Sequence, residues 1–174
     1  MSKAWSVTGA KPNHSLAEAA RRILAVRIAE VYSYRPIIHR PEAVEPTHAL
    51  RISLKRLRYT LELFSSVFGE DGDRQTDRVK TLQQTLGELH DLDVRVDLIL
   101  AESERLAAGR KKGNRDADTE AIGAGLTRYA ERERSRRGEI HRQFVEEWSG
   151  LQQAGMRRDL VRLSQLATDR ASAD

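Results

Sequence analysis

The sequence contains no cysteine among its 174 residues. Disulfide bonds, iron–sulfur clusters, thiolate zinc sites and cysteine nucleophiles are therefore excluded. Aromatic residues make up only 5% of the chain, and 11 glycines and 4 prolines are few, which argues against a β-sandwich or a collagen-like chain. The sequence also lacks a phosphate-binding glycine loop, a G-x-S-x-G nucleophile turn and an H-E-x-x-H zinc motif.

Long apolar segments are missing as well. No run of about 18 apolar residues occurs, so the sequence predicts no membrane-spanning helix. The first 15 residues lack the apolar stretch of a secretory signal. We therefore expect a cytoplasmic protein.

Positive charge is in slight excess and is carried mainly by arginine. Lys and Arg total 30 against 26 Asp and Glu, for a formal net charge of +4, and only six of the 30 are Lys. Arginine presents a planar, permanently charged fork that suits phosphate or carboxylate. This bias indicates an anionic partner.

Apolar residues recur at three- and four-residue steps, which predicts an all-α antiparallel bundle of four helices plus a short fifth. We predict a flexible leader over 1–13 and one bundle domain over 14–170. The expected helices cover about 15–35, opened by a Ser15–Glu18 capping box, then about 47–68, 73–108, a long fourth helix ending near 148, and 156–167. A basic loop is expected over 109–114.

Each of the first four helices has an expected buried stripe. The stripe of the second helix consists of Leu50, Leu54, Leu57, Leu61, Phe64 and Phe68. The stripe of the first helix consists of Leu16, Ala20, Ile23, Leu24 and Val31, and that of the third of Val79, Leu82, Leu86, Leu89, Val96 and Leu100. The stripe of the fourth helix consists of Ile122, Leu126, Tyr129, Ile140, Phe144 and Trp148. Gly87 is expected to mark a kink or close packing in the third helix.

The segment 47–59 carries four basic residues, one histidine and no acid. At about 100° per residue, its members His48, Arg51, Lys55 and Arg58 fall within an arc of roughly 80°, almost opposite the leucine stripe. Like charges at these spacings repel by about 0.2–0.5 kcal/mol per pair. Such a row is either a solvated helix face or a binding surface for a repeating anion, for which inorganic polyphosphate and nucleic acid are the obvious candidates.

Two motifs in this sequence resemble the signatures of the CHAD domain, the conserved histidine α-helical domain. The first is the pattern His48-x-x-Arg51-x-x-x-Lys55-Arg56-Leu57-Arg58-Tyr59, and the second is the run over 82–94, LQQTLGELHDLDV. The resemblance is closest over 47–100. It implies a helical bundle with a basic surface that binds inorganic polyphosphate without catalysing a reaction.

Carried over residue by residue, the resemblance implies a polyphosphate site formed by His48, Arg51, Lys55, Arg56, Arg58 and Tyr59, with no catalytic residue, metal or cofactor. His48 would bind more strongly when protonated, so binding should tighten modestly at mildly acidic pH. The family's usual module contains two related bundles, whereas the basic motif occurs once here. The chain is therefore either a half-length member of the family, or it forms a homodimer that supplies the second copy.

Two other functions stay open. His90-Asp91 is similar to the metal-binding pair of HD phosphohydrolases, which need further ligands such as His39 or His48 and Asp97 or Asp116. A simpler interpretation pairs Asp91 or Asp93 with an arginine of the second helix. Nucleic-acid binding is the other function, although aromatic residues for base stacking are sparse near the basic segment.

Three further features have mainly structural interpretations. Glu45-x-x-His48 has the ligand spacing of di-iron bundles, but the second motif that such sites need is absent. Arg27 lies on the apolar side of the first helix and is interpreted as a core ion pair near Glu30 or with another helix, or as a group that reaches the anion site. The arginines of the fourth helix alternate with glutamates and are interpreted as a self-paired, solvated face.

Overall fold

A computed structural model describes residues 3–8, 13–111 and 117–166. These residues form helices and connecting turns, with no strand among them, so the predicted all-α helical bundle is confirmed. The helices are α1 (Leu16–Tyr32), α2 (Val44–Leu63), α3 (Ser65–Lys111), α4 (Ala117–Gln153) and α5 (Met156–Leu166). Within the described ranges, no helix is both long and apolar enough to cross a membrane.

The chain divides into two compact units. The first comprises Met1–Leu86 and Phe144–Asp174, and the second comprises Gly87–Gln143. The predicted leader and single bundle domain stay a prediction. Both motifs that resemble the CHAD signatures begin in the first unit, and the basic one lies wholly within it.

Helix α1 begins where the sequence predicts. Ser15 accepts a hydrogen bond from the Glu18 backbone N–H at 3.2 Å, and Glu18 accepts one from the Ser15 backbone N–H at 2.9 Å, which completes the capping box. The helix ends at Tyr32, a few residues before the predicted Arg35–Pro36 boundary. Pro36 instead lies in a short 3-10 turn over Arg35–Ile37.

The predicted limits of α2 were wrong at both ends. It begins at Val44 because Pro46 falls in the first helical turn, where its missing N–H would have no intrahelical partner. It ends at Leu63 because Phe64 leaves helical geometry, with φ −105° and ψ 28°. The predicted break at Gly69 is confirmed: its φ of 56° is left-handed, which glycine adopts without strain.

The later helices are longer than predicted. Helix α3 continues to Lys111 instead of ending at Ala108, so the first part of the predicted basic loop is helical, and 112–114 lie outside the described residues. Gly69 is the residue of α3 with non-helical dihedral angles, and a Cβ at Gly87 would meet no atom within 4 Å. Close packing at Gly87 was therefore a wrong prediction. Helix α4 runs on to Gln153.

Burial in the first unit follows the strongest apolar stripe. All six predicted members on α2 and at the start of α3 are at most 7% exposed, and α1 packs against both α2 and α5. On α1, Ala20, Leu24 and Val31 are buried as predicted, but Leu16 is 61% exposed and Ile23 is only half-buried. Leu16 is the first residue of the helix, so its side chain, which leans toward the N-terminus, has no preceding helical turn to pack against.

The buried face of α4 was predicted wrongly for a clear physical reason. Ile122 and Tyr129 are exposed, while Ala130, Glu133 and His141 are buried. The true inward face therefore includes a carboxylate and an imidazole, which an apolar pattern does not reveal. Leu126 and Ile140 are half-buried, whereas Phe144 and Trp148 are buried as predicted.

Ion pairs in the second unit explain how its buried carboxylates are tolerated. Arg95 donates to Glu133 at 2.6 Å, and this hydrogen bond raises the pKa of Arg95. Arg137 pairs with Asp93, with both side chains at most 15% exposed. The arginines of α4 are therefore not simply self-paired, and the partner of Asp93 comes from α4 instead of the second helix. A buried carboxylate needs such a partner.

Glu30 is the most deeply buried charge of the first unit, at 0% exposed. Its Oε2 lies 2.5 Å from Arg27 Nη1, and its Oε1 lies 2.5 Å from Arg56 Nη1. The Glu30 carboxylate thus contacts one arginine of its own helix, α1, and one arginine of α2. The predicted core ion pair of Arg27 is confirmed, and the Arg27 guanidinium also donates to the Trp5 carbonyl at 3.1 Å.

Glu30→Gln should lower the free energy of unfolding by about 3 kcal/mol, because it leaves two largely buried guanidinium groups without their charge partner. Denaturant unfolding measures the change. Glu42→Gln is the matched control, since Glu42 is exposed and should shift stability by less than about 0.5 kcal/mol. Equal unfolding midpoints for the two variants would contradict this role for Glu30.

Candidate functional site

Three basic residues of α2 lie on a different side of the helix from its buried leucines. Leu50, Leu54 and Leu57 are 0% exposed, and the helix period places Arg51, Lys55 and Arg58 on another side. Lys55 is exposed, while Arg51 and Arg58 are half-buried. We call these three residues the basic row.

A groove of about 390 Å³ runs along the basic row. Helix α2 contributes the basic row and Tyr59, and α3 contributes Lys80, Gln83 and Gln84. None of these lining residues is acidic. The groove therefore gathers four cations and two amides from two helices of the first unit, which is the composition that an anion requires.

Tyr59 makes cation–π contacts with two members of the basic row. Its ring centroid lies 5.7 Å from Lys55 Nζ and 5.0 Å from Arg58 Cζ, so both cations face its π system. The ring itself is 49% exposed. The Arg58 Nε atom is 3.8 Å from Glu62 Oε1, too far for a hydrogen bond, so Glu62 offsets the charge of Arg58 only weakly.

The α3 side of the groove was not predicted from the sequence. Lys80 pairs with Asp77 at 3.3 Å, and its side chain is half exposed. The Gln83 Nε2 atom is buried and has no hydrogen-bond partner in the described part of the chain. Lys80, Gln83 and Gln84 share a helix face away from the buried stripe of Val79, Leu82 and Leu86, and this polar three- and four-residue spacing was the signal available in the sequence.

Two of the six predicted site residues do not line the groove. Arg56 pairs with Glu30, so its guanidinium holds α1 to α2. His48 lies one turn before Arg51 and is half-buried. Their contact with polyphosphate stays a prediction. The remaining four, Arg51, Lys55, Arg58 and Tyr59, are brought together in the groove.

The alternative pair His90-Asp91 lies in the second unit. His90 is half-buried, and Asp91 is exposed in a cleft that also contains Glu88, Arg95 and Arg136. Across residues 3–8, 13–111 and 117–166, no three His, Asp or Glu side chains are grouped as metal ligands. The described geometry therefore supplies only two neighbouring residues for this alternative.

The model of the CHAD domain family matches residues 2–100, more than half of the chain. This chain belongs to the CHAD domain family. The matched CHAD region contains α1, α2 and most of α3, and so includes both walls of the groove. Comparisons with curated proteins and with solved structures give no match.

Lys55→Glu should stabilise this CHAD protein by about 1 kcal/mol at low ionic strength, because two repulsive contacts, with Arg51 and Arg58, become attractive. The lost contact with Tyr59 offsets part of this gain. Thermal unfolding at low salt and in 1 M salt measures the effect, which should shrink as salt screens the charges. Lys55→Gln should give a smaller gain, and destabilisation by both variants at low salt would contradict the repulsion.

Proposed function

We propose that this protein binds inorganic polyphosphate in the groove along the basic row, without catalysing a reaction. The observation that carries the proposal is a groove lined by four cations and no acid. Membership of the CHAD family, which is associated with this anion, supports it. The absence of a membrane-spanning helix in the described residues fits a role in the cytoplasm, where we place the protein.

The dimensions of the basic row favour a linear anion over a compact one. Arg51 and Arg58 are seven residues apart, which corresponds to about 10 Å along a helix axis. Lys80 adds a cation from α3. Successive phosphates would lie along this row, with the guanidinium forks making charge-assisted hydrogen bonds to their oxygens.

Replacing the basic row tests the proposal directly. Arg51→Gln, Lys55→Gln and Arg58→Gln combined should abolish binding of defined-length polyphosphate while preserving helicity, because the leucine core is untouched. The matched control is Arg128→Gln, Arg132→Gln and Arg134→Gln, which removes the same charge from exposed residues of α4. Calorimetric titration and circular dichroism provide the two measurements. Equal loss of affinity in both variants would show non-specific charge attraction and would contradict the groove.

The salt dependence of the affinity for polyphosphate reports how many phosphate charges the protein neutralises. By analogy with counterion release from nucleic acids, the logarithm of affinity should fall linearly with the logarithm of salt concentration. Lys80→Gln should reduce this slope by about 1, as expected for one lost phosphate contact. If Lys80→Gln left the slope unchanged, Lys80 would not contact polyphosphate, and the proposed contribution of α3 to the site would be contradicted.

The same titrations separate the alternative functions. Polyphosphate retained in excess duplex DNA supports the proposed anion, whereas displacement by DNA supports nucleic-acid binding. Tyr59 is the aromatic residue lining the groove, and its ring already faces two cations, which disfavours base stacking as the main contact. Release of inorganic phosphate on addition of divalent metal would instead support a phosphohydrolase.

A homodimer is the proposed oligomeric state, because it would double the single basic row of this chain. Two rows held together would raise affinity for a long chain through effective concentration. The two basic rows repel each other, and bound polyphosphate would neutralise this repulsion. The dimer should therefore be stronger when polyphosphate is present. Light scattering with and without polyphosphate measures this, and a mass near the 19.7 kDa of one chain in both conditions would contradict the dimer.

A further inference from the structure

A second cleft in the first unit shares no lining residue with the groove along the basic row. It encloses about 660 Å³ and is lined by residues of α1, α4 and α5 and of the turns that adjoin them. This volume lies within the range of about 300–1,000 Å³ that small-molecule sites occupy. We call it the aromatic cleft, after Tyr32 and Trp148.

Two aromatic rings form one part of the cleft wall. The centroids of Tyr32 and Trp148 are 5.6 Å apart, with the ring planes inclined by 52°. Val161, 36% exposed, adds an apolar side chain. The guanidinium of Arg157 lies 5.1 Å from the centroid of Tyr32. Trp148 is buried and supports Tyr32, so a planar ligand can stack on Tyr32 or on the flat face of this guanidinium.

Four arginines surround these apolar groups. Arg158 pairs with Asp159 at 3.2 Å, and Asp159 also accepts from Arg78 at 2.9 Å, which lowers the pKa of the carboxyl. Arg35, Arg157 and Arg162 have no acidic partner in the described part of the chain. The cleft also lies beside the first turn of α5, whose backbone N–H groups add positive potential.

The Gln152 amide links α4 to the tyrosine of the cleft wall. Its Oε1 accepts a hydrogen bond from the Tyr32 hydroxyl at 2.9 Å. Burial raises the pKa of Tyr32, so the hydroxyl stays neutral. This hydrogen bond helps to hold the Tyr32 ring in the cleft wall.

We propose that the aromatic cleft binds a nucleoside phosphate. The base would stack against the aromatic wall, while the phosphates contact Arg35, Arg157 and Arg162. An inorganic anion would use only the arginines, and an uncharged aromatic molecule would use only the rings. A nucleoside phosphate uses both sets of groups at once, and it leaves the groove available for polyphosphate.

Fluorescence of Trp148 tests the proposal in a Trp5→Phe background, since these are the two tryptophans of the chain. Adenosine triphosphate should quench the emission saturably, and it should bind at least about tenfold more tightly than either adenosine or inorganic triphosphate. Equal affinities of adenosine triphosphate and inorganic triphosphate would overturn the proposal, because the base would then contribute nothing.

Variants locate the binding and separate this proposal from the polyphosphate site. Arg157→Gln with Arg162→Gln should weaken adenosine triphosphate at least about tenfold and leave polyphosphate affinity within about twofold. The triple glutamine variant of the basic row should do the reverse. Val161→Phe should narrow the cleft with all its charges intact and weaken adenosine triphosphate, and it adds no second tryptophan to the fluorescence signal. Wild-type nucleotide affinity in the Arg157/Arg162 variant, with native circular dichroism, would overturn the proposal.

Discussion

The Glu30 carboxylate is the constraint on which the described first unit depends, because it has no access to water and must be neutralised from within. Two guanidinium groups do this, one from its own helix and one from α2. A buried charge without partners is far more costly than its pairing is favourable, so the relative position of the two helices is held with little tolerance. The position of α2 against α1 in turn determines that the leucines of α2 face the core and that the basic row faces the groove.

Three sides of α2 therefore make three different kinds of contact. The leucines form the core, Arg56 holds α1, and the basic row lines the groove. The basic row is unfavourable to the helix itself, because like charges follow one another at three- and four-residue steps. Burial of the leucines offsets that repulsion, at about 1.5–3 kcal/mol for each fully buried side chain.

Periodicity predicts this fold well where one side of a helix is purely apolar, as on α2. It fails on α4, where Glu133 and His141 occupy the inward side and ion pairs replace apolar contacts. The α2 half of the groove could be predicted because Arg51, Lys55 and Arg58 share one helix. The polar face that carries Lys80 and Gln83 is visible in the sequence of α3. Its place in the groove, and the pairing of Arg56 with Glu30, are not, because each depends on which helices pack together.

The separation of the α2 leucines from the basic row has a consequence for how the protein can change. Substitutions in the basic row alter charge without disturbing a packed surface, so anion preference can drift by single steps through stable intermediates. Glu30 lacks this freedom, since its loss leaves two largely buried guanidinium groups without their carboxylate and a second substitution must follow. The protein therefore combines an evolvable surface with an interior in which substitutions must be coupled.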